Sequence, residues 1–362
     1  MYFLPSLFLC FSLQSQDVLQ GQLPKEDLGV TSFLAAHPEF DGRGVRVAVL
    51  DTGVDPGHPL LQRTPQGGRK LVDWYDATTD GRIQIEHFGV AENGALIGLS
   101  GRQLTLGQWG KEDREFGLLR LDQDFLPADL QARLESSRRE EWRKGSKQYN
   151  EARARMESKG EIFNESSLKE KEIRRKWDSF TDGGPVWDGL VFHDGKEWLV
   201  VFDNDEDGNL DEEPALRGFT QSGDWATLGD EALLNYAVKV DADGKHLQFF
   251  FDAHGHGTHV AGIIGAYEGE GGRLNGIAPG VEIVAIKVGD GKFGGATSGF
   301  SIAKAFDYAV EAGCQVANLS FGGPSFFADG KEPDAWVVEE ATRRGLSIVT
   351  SAGNEGPAGL SR

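Results

Sequence analysis

Cysteine is almost missing from this chain. Its 362 residues include two, Cys10 and Cys314, so no disulfide framework can staple the fold. Long apolar runs are missing too. The one candidate, Tyr2 to Leu13 (YFLPSLFLCFSL), has the length of a signal-peptide core and is too short to cross a bilayer. Polar residues follow it, but no Lys or Arg precedes it. It therefore reads either as a signal segment over residues 1–16 or as an apolar amino-terminal arm. Removing that segment would leave Cys314 without a partner. Positive charge is scarce: 37 Lys and Arg stand against 57 Asp and Glu, a formal net charge of −20. So acidic a surface repels nucleic acid and anionic membranes, and neither is expected as a partner. There is no internal repeat and no low-complexity tract.

The rest is a globular composition, 39% hydrophobic and 26% charged, long enough for two domains or for one large α/β domain with an insertion. The stretch Gly44 to Asp51 (GVRVAVLD) is short, apolar and β-branched. It reads as a buried strand stopped by the turn Asp51-Thr-Gly-Val-Asp-Pro-Gly57. Beyond about residue 70 the pattern changes. Leu71 to Tyr75 and Gly94 to Leu99 alternate like short strands. From Ala128 to Phe180, LQARLESSRREEW and LKEKEIRRKW predict exposed helices with one narrow apolar stripe. Val186 to His193 and Lys196 to Asp203 flank Asp194-Gly195, a hairpin signal. A second strand pair is expected at Ala237 to Val240 and Leu247 to Phe251, around Asp243-Gly244.

After His254 the chain alternates between helix and strand. Helices are predicted at Gly257 to Ala266, Ser298 to Ala312 and Pro333 to Arg344, and strands at Glu282 to Lys287, Gln315 to Ser320 and Leu346 to Ser351. That rhythm predicts an α/β fold, a parallel sheet with helices on both faces, interrupted by a large α+β insertion. The expected divisions are residues 17–70 as the first part of the core, 71–250 as the insertion and 251–362 as the second part of the core. In such sheets functional sites gather at the carboxyl ends of the strands, where Asp51, Ser320 and Asn354 all fall.

Hydrolysis of a peptide needs a nucleophile, a base, an acid to orient the base, and donors for the oxyanion. Asp51 ends a buried strand and can accept a histidine N–H there; a turn-forming aspartate is the plainer reading. His256, in HGHGTHVAG (His254 to Gly262), opens an apolar helix that would fix its ring. The cluster His254, His256 and His259 also raises a metal reading, but the helix lacks the glutamate of a zinc-protease motif. Asn354, in SAGNEGP (Ser351 to Pro357), follows a strand and can donate an amide hydrogen to an oxyanion, or simply form a turn.

Taken together, AVLDTGVD, HGTHVAG and SAGNEGP, in that order, resemble the subtilisin family of serine proteases. The resemblance implies that Asp51 orients the base, His256 is general base and acid, and Asn354 donates to the oxyanion. Asn318-Leu-Ser-Phe-Gly-Gly323 is similar to the family's edge strand, which pairs with substrate backbone, so Ser320, Phe321, Gly322 and Gly323 are expected at the substrate. The long gap between Asp51 and His256, with the segments IGLSGR, GPVWDGLVFHDGKEW, DNDEDGNL and LLNYAV, resembles the tripeptidyl-peptidase II subfamily from about Leu23 to Pro357.

Two departures qualify that resemblance. The family's Gly-Thr-Ser-Met-Ala segment does not occur in these residues, so the chain reads as a fragment whose nucleophilic serine lies beyond Arg362. The rival reading is a non-catalytic scaffold that binds a peptide or protein partner. Second, the positions matching the subfamily's acidic tripeptide-measuring residues are Thr297 and Gly323. Neither is acidic, and internal cleavage is expected alongside tripeptide release. No cofactor is required. Calcium is considered only for the loop of Asp203, Asp205 and Asp207, which begins like a calcium loop but has Pro214 where the closing glutamate would stand. A peptide or unfolded protein is the expected substrate, and self-association is open for a longer form of the protein.

Overall fold

The computed structural model describes residues 23–110, 114–159, 183–293, 295–322 and 333–354. The chain enters through a short helix, α1 (Val30–Ala36), and forms β1 (Arg46–Asp51) and β2 (Leu71–Asp76). Then come β3 (Arg82–Gln84), β4 (His87–Val90), β5 (Ala95–Ile97), β6 (Gln103–Thr105) and β7 (Glu115–Asp122). The long helix α2 (Ala128–Ser158) follows, with β8 (Val186–His193), β9 (Trp198–Phe202), the single turn α3 (Phe219–Ser222), β10 (Ala226–Leu228), β11 (Leu234–Val240) and β12 (His246–Phe250). The chain then runs through α4 (His256–Gly265), β13 (Glu282–Lys287), α5 (Gly299–Glu311), β14 (Val316–Leu319), α6 (Pro333–Arg343) and β15 (Ser347–Thr350).

The parallel sheet has the order β15-β14-β1-β13-β2. β1 lies between β13 and β14, with Val49 opposite both Ala285 and Asn318. Because both faces are covered there, the central strands β1 and β13 are apolar at nearly every interior position. Ala48, Leu50, Val284 and Ile286 pack with Ala305, Phe306 and Ala309 of α5. Val47, Val49, Ile283 and Ala285 pack the other way, with Trp74, Phe250 and Ala261 of α4. Cys314 lies in the first of these cores, and burial pushes its thiol up to about 12.

One predicted boundary is corrected here. Residues 71–76 were assigned to the insertion, but β2 is a strand of the parallel sheet, paired with β13. Its polar positions misled because β2 is an edge strand: Asp73 accepts the Thr220 hydroxyl at 2.6 Å and the Tyr308 hydroxyl at 2.7 Å. The insertion therefore starts after Asp76.

Among the described residues the insertion builds two four-stranded antiparallel sheets, β10-β11-β12-β3 and β4-β7-β8-β9, and the small pair β5-β6. Their alternating faces differ in what they bury. Leu119, Leu121, Trp187, Val191 and Phe202 meet Tyr236, Val238, Leu247 and Phe249 between the sheets. Phe116, Leu190, Phe192 and Val201 face outward onto Leu96, Leu104 and Leu106. The Asp194-Gly195 turn does join β8 to β9, with His193 opposite Trp198, and Asp194 accepts the N–H groups of Lys196 and Glu197, each at 2.8 Å. Helix α2 carries the i,i+4 ion pairs Glu135–Arg139, Glu140–Lys144 and Arg153–Glu157, as its charge pattern predicts. LKEKEIRRKW and the apolar run Tyr2 to Leu13 lie outside the described residues. Among those residues no helix is long and apolar enough to cross a membrane.

Candidate active site

β1 delivers Asp51 to the carboxyl edge of the sheet, wholly buried. Its Oδ1 accepts the Thr52 N–H at 2.8 Å and lies 2.7 Å from His256 Nδ1. Its main-chain carbonyl is held by the N–H groups of Val288 and Gly289. Its Oδ2 is buried with no hydrogen-bond partner. Burial raises the Asp51 carboxyl above the usual carboxylate range, although the His256 hydrogen bond and the Thr52 N–H pull the other way.

His256 is the first residue of α4, and its side chain is 45% exposed. An imidazole facing a carboxylate through Nδ1 keeps its proton on that nitrogen, which leaves the Nε2 lone pair for another proton. Two glycines make the approach possible. Gly53 has φ +110°, and a Cβ there would stand 2.6 Å from the Phe251 carbonyl oxygen; a Cβ on Gly257 would meet the Gly53 carbonyl oxygen at 2.0 Å. The turn after Asp51 and the start of α4 can touch only because both lack side chains.

A second carboxylate holds the two segments together, and the sequence reading missed it. Asp252 precedes His256 by four residues and accepts bonds from both sides. Thr52 Oγ1 donates to its Oδ1 at 2.8 Å, and so do the N–H groups of His254 at 3.1 Å and Gly255 at 2.9 Å. Thr258 donates to its Oδ2 from the N–H at 3.0 Å and from the hydroxyl. The signal available in sequence was an Asp just ahead of glycine and a helix start, which favours such local bonds.

The other predicted residues fall as follows. Asn354 is exposed past the end of β15, at the same carboxyl edge as Asp51. Ser320 and Phe321 are half-buried and Gly322 is exposed, just beyond β14. Of the segment expected to resemble the family's substrate-pairing strand, Asn318 and Leu319 belong to β14, which is flanked by β1 and β15. The strand pattern there reflects core pairing, and the segment past it, Ser320 to Gly322, is not in a strand. Gly323 lies outside the described residues. Thr297 is exposed beside Ser298, which caps α5 by accepting the Ser301 N–H at 3.1 Å.

A buried ion pair lies under this edge. Lys287 Nζ is 2.6 Å from Asp80 Oδ1 and 3.7 Å from the centre of the Phe251 ring. Asp80 also accepts the Gly291 N–H at 2.9 Å, so the first loop of the insertion fastens the loop that leads to Thr297. The calcium candidates Asp203, Asp205 and Asp207 bring one oxygen each within 4.8 Å of one another. Asp203 is already engaged by Arg102 Nη1 at 2.6 Å and the Gly208 N–H at 3.0 Å. Glu213 points to Asn204 instead, accepting its N–H at 2.8 Å and its amide at 2.7 Å.

Residues 42–362 match the model of the subtilase family. The chain is 30% identical to tripeptidyl-peptidase 2 of Oryza sativa subsp. japonica, over 96% of this chain and 27% of that protein. It is also 30% identical to pyrolysin of Pyrococcus furiosus, over 88% of this chain and 23% of that one. The chain thus spans about a quarter of the length of these relatives. The crystal structure of tripeptidyl peptidase 2 covers 91% of this chain with a TM-score of 0.63 and 22% identity, a likeness of fold.

Proposed function

The chain belongs to the subtilase family of serine peptidases, and from that premise we propose that Asp51 and His256 are the acid and base of a peptide-hydrolysing Asp-His-Ser triad. The observation that carries the proposal is the 2.7 Å contact between His256 Nδ1 and the buried Asp51 Oδ1. The reading requires a nucleophilic serine, which no Gly-Thr-Ser-Met-Ala segment supplies within these residues.

In this reading His256 Nε2 takes the serine hydroxyl proton as the serine oxygen bonds to the substrate carbonyl carbon. Positive charge then develops on a ring whose other nitrogen already faces the Asp51 carboxylate, and that carboxylate stabilises it. Asn354 supplies a side-chain amide to the oxyanion. His256 gives the proton to the departing amine as the C–N bond breaks, and then activates the water that releases the acyl group. The peptide lies extended along Ser320 to Gly322, so that main-chain bonds supply affinity.

The enzyme is of the tripeptidyl-peptidase 2 type, and it also cuts internally. Thr297 and Gly323 supply no carboxylate to hold a free amino terminus, so selection for that terminus is weak. Products from matched free and N-acetylated peptides test this with the chain carried through its serine segment. Cleavage of both is expected; strict tripeptide release from free termini alone would contradict it. In the same assay His256→Ala is expected to lower kcat by about 10⁶, the loss typical of triad knockouts. Unchanged turnover would remove the triad reading.

A further inference from the structure

We infer that Asp252 is the positioning residue that sets His256 against Asp51, and that Asn235 of the insertion fixes it from behind. The inference rests on the proposed function only in naming His256 the base; its geometry and its test do not involve turnover.

The two threonine hydroxyls along the path each donate one hydrogen bond and accept another. Thr52, next to Asp51 in the chain, donates its hydroxyl to Asp252 at 2.8 Å and accepts the Gly257 N–H at 3.0 Å. Thr258 donates its hydroxyl to Asp252 and accepts the Asp55 N–H at 2.8 Å. The Ala253 N–H reaches the Thr52 carbonyl at 2.9 Å. The turn after Asp51 and the first turn of α4 thus share one carboxylate. Gly255, which precedes α4, makes no side-chain cap of its own, so Asp252 takes the N–H groups of that end. An acceptor charged and bonded from both sides is stronger than a neutral one and has fewer ways to move.

The path continues into the insertion. Asn235, on β11, donates its amide to Asp55 Oδ1 at 3.0 Å and Oδ2 at 3.3 Å, and accepts the Thr227 hydroxyl of β10 at 2.7 Å. Asp55 also closes its own turn by accepting the Gly57 N–H at 2.7 Å. Nothing in a parallel sheet with helices supplies this brace. It comes from strands that exist only because the chain between Asp51 and His256 is long. The insertion is therefore part of the apparatus that aligns the pair, as well as an addition to the fold.

The test is NMR on this chain, following the imidazole proton between His256 Nδ1 and Asp51, with histidine nitrogen shifts reporting the tautomer. The wild type is expected to show the proton on Nδ1, protected from solvent exchange. Asp252→Ala should speed that exchange about tenfold, the value of one charge-assisted bond of ordinary strength. Asp252→Asn, which keeps one acceptor oxygen, should fall between the two. Asn235→Ala should speed it about threefold, a smaller effect because Asn235 reaches Asp252 only through Asp55 and Thr258. Asp194→Ala, which loosens a distant hairpin of the same insertion, should leave it unchanged and serves as the control for general loosening. Wild-type exchange in Asp252→Ala would overturn the inference, and so would equal acceleration in Asp194→Ala. If Asp252→Ala does not fold, Asn235→Ala decides: wild-type exchange there overturns the inference.

Discussion

The parallel core and the insertion satisfy their buried charge differently. The core buries Asp51 completely and gives it one histidine and one N–H. The insertion gives its buried Asp188 and Asp203 the partners Ser100 and Arg102, and carries exposed charge in i,i+4 pairs on α2 and in turn-closing aspartates such as Asp194. It relies instead on aromatic packing: Phe249 stacks on Tyr236 at 4.5 Å between ring centres and meets Phe202, Phe125 and Phe251 edge-on or tilted. A buried, incompletely satisfied carboxylate is costly to fold, and a protein keeps one where it has chemistry to do. Charge that is exposed and locally paired does little beyond keeping the chain soluble. The difference shows which carboxylates matter in a chain that has 57 acidic residues.

The comparison can be broken at several points. The largest effect is expected from Asp51→Asn in the serine-bearing protein, a loss of about 10⁴ in kcat with little change in melting temperature. A comparable loss from Asp203→Asn, a buried aspartate of the insertion, would erase the distinction. Next is the insertion's aromatic core, where Phe249→Ala should cost about 3–5 kcal/mol in denaturant unfolding; a loss below about 1 kcal/mol would mean that this core contributes little. Lys287→Met leaves the Asp80 carboxylate, with Asp76 nearby, buried without a cation. It should cost about 3–5 kcal/mol in the same assay. Burial pushes Asp80 up, and the Lys287 charge and hydrogen bond, with the Gly291 N–H, more than reverse it, so its carboxyl is held low.

A smaller effect concerns Lys70, wholly buried in the core with Nζ 2.6 Å from the Pro279 carbonyl. Burial lowers its pKa from 10.5 to about 8. The unfolded chain therefore holds this proton more tightly than the folded one, so this group's contribution to stability rises between about pH 8 and pH 10.5. The stability of the wild type relative to Lys70→Met should rise through that window; a fall would reverse the assignment. The smallest effect is calcium, expected to leave the melting temperature unchanged because Arg102 already neutralises Asp203. A rise would place a cation at Asp203 to Asp207.

Much of this was legible in sequence wherever one residue type had one physical use. An apolar run ending in Asp51, the glycines beside His256, and the strand–helix rhythm after it each match what the backbone forms. The Asp194-Gly195 hairpin was equally plain. What was hidden depends on partners far away in the chain. β2 looked amphipathic because its outer residues bond to Thr220 and Tyr308. That Asn318 pairs on both sides, with β1 and β15, leaves no local trace in the sequence. Nothing near Lys70 and Lys287 in sequence tells of the carbonyls and carboxylates that receive them. Asp252 and Asn235 carry no motif, and only the closed fold brings them to Thr52 and Asp55.

The central claim is that His256, oriented by Asp51, activates a serine supplied by a longer form of this chain. The most direct measurement is labelling of that form with a fluorophosphonate, which reacts with an activated serine, followed by mass spectrometry of the labelled peptide. The account predicts one modified serine in the wild type and none in His256→Ala. An unlabelled wild type, or labelling indifferent to His256, would contradict it.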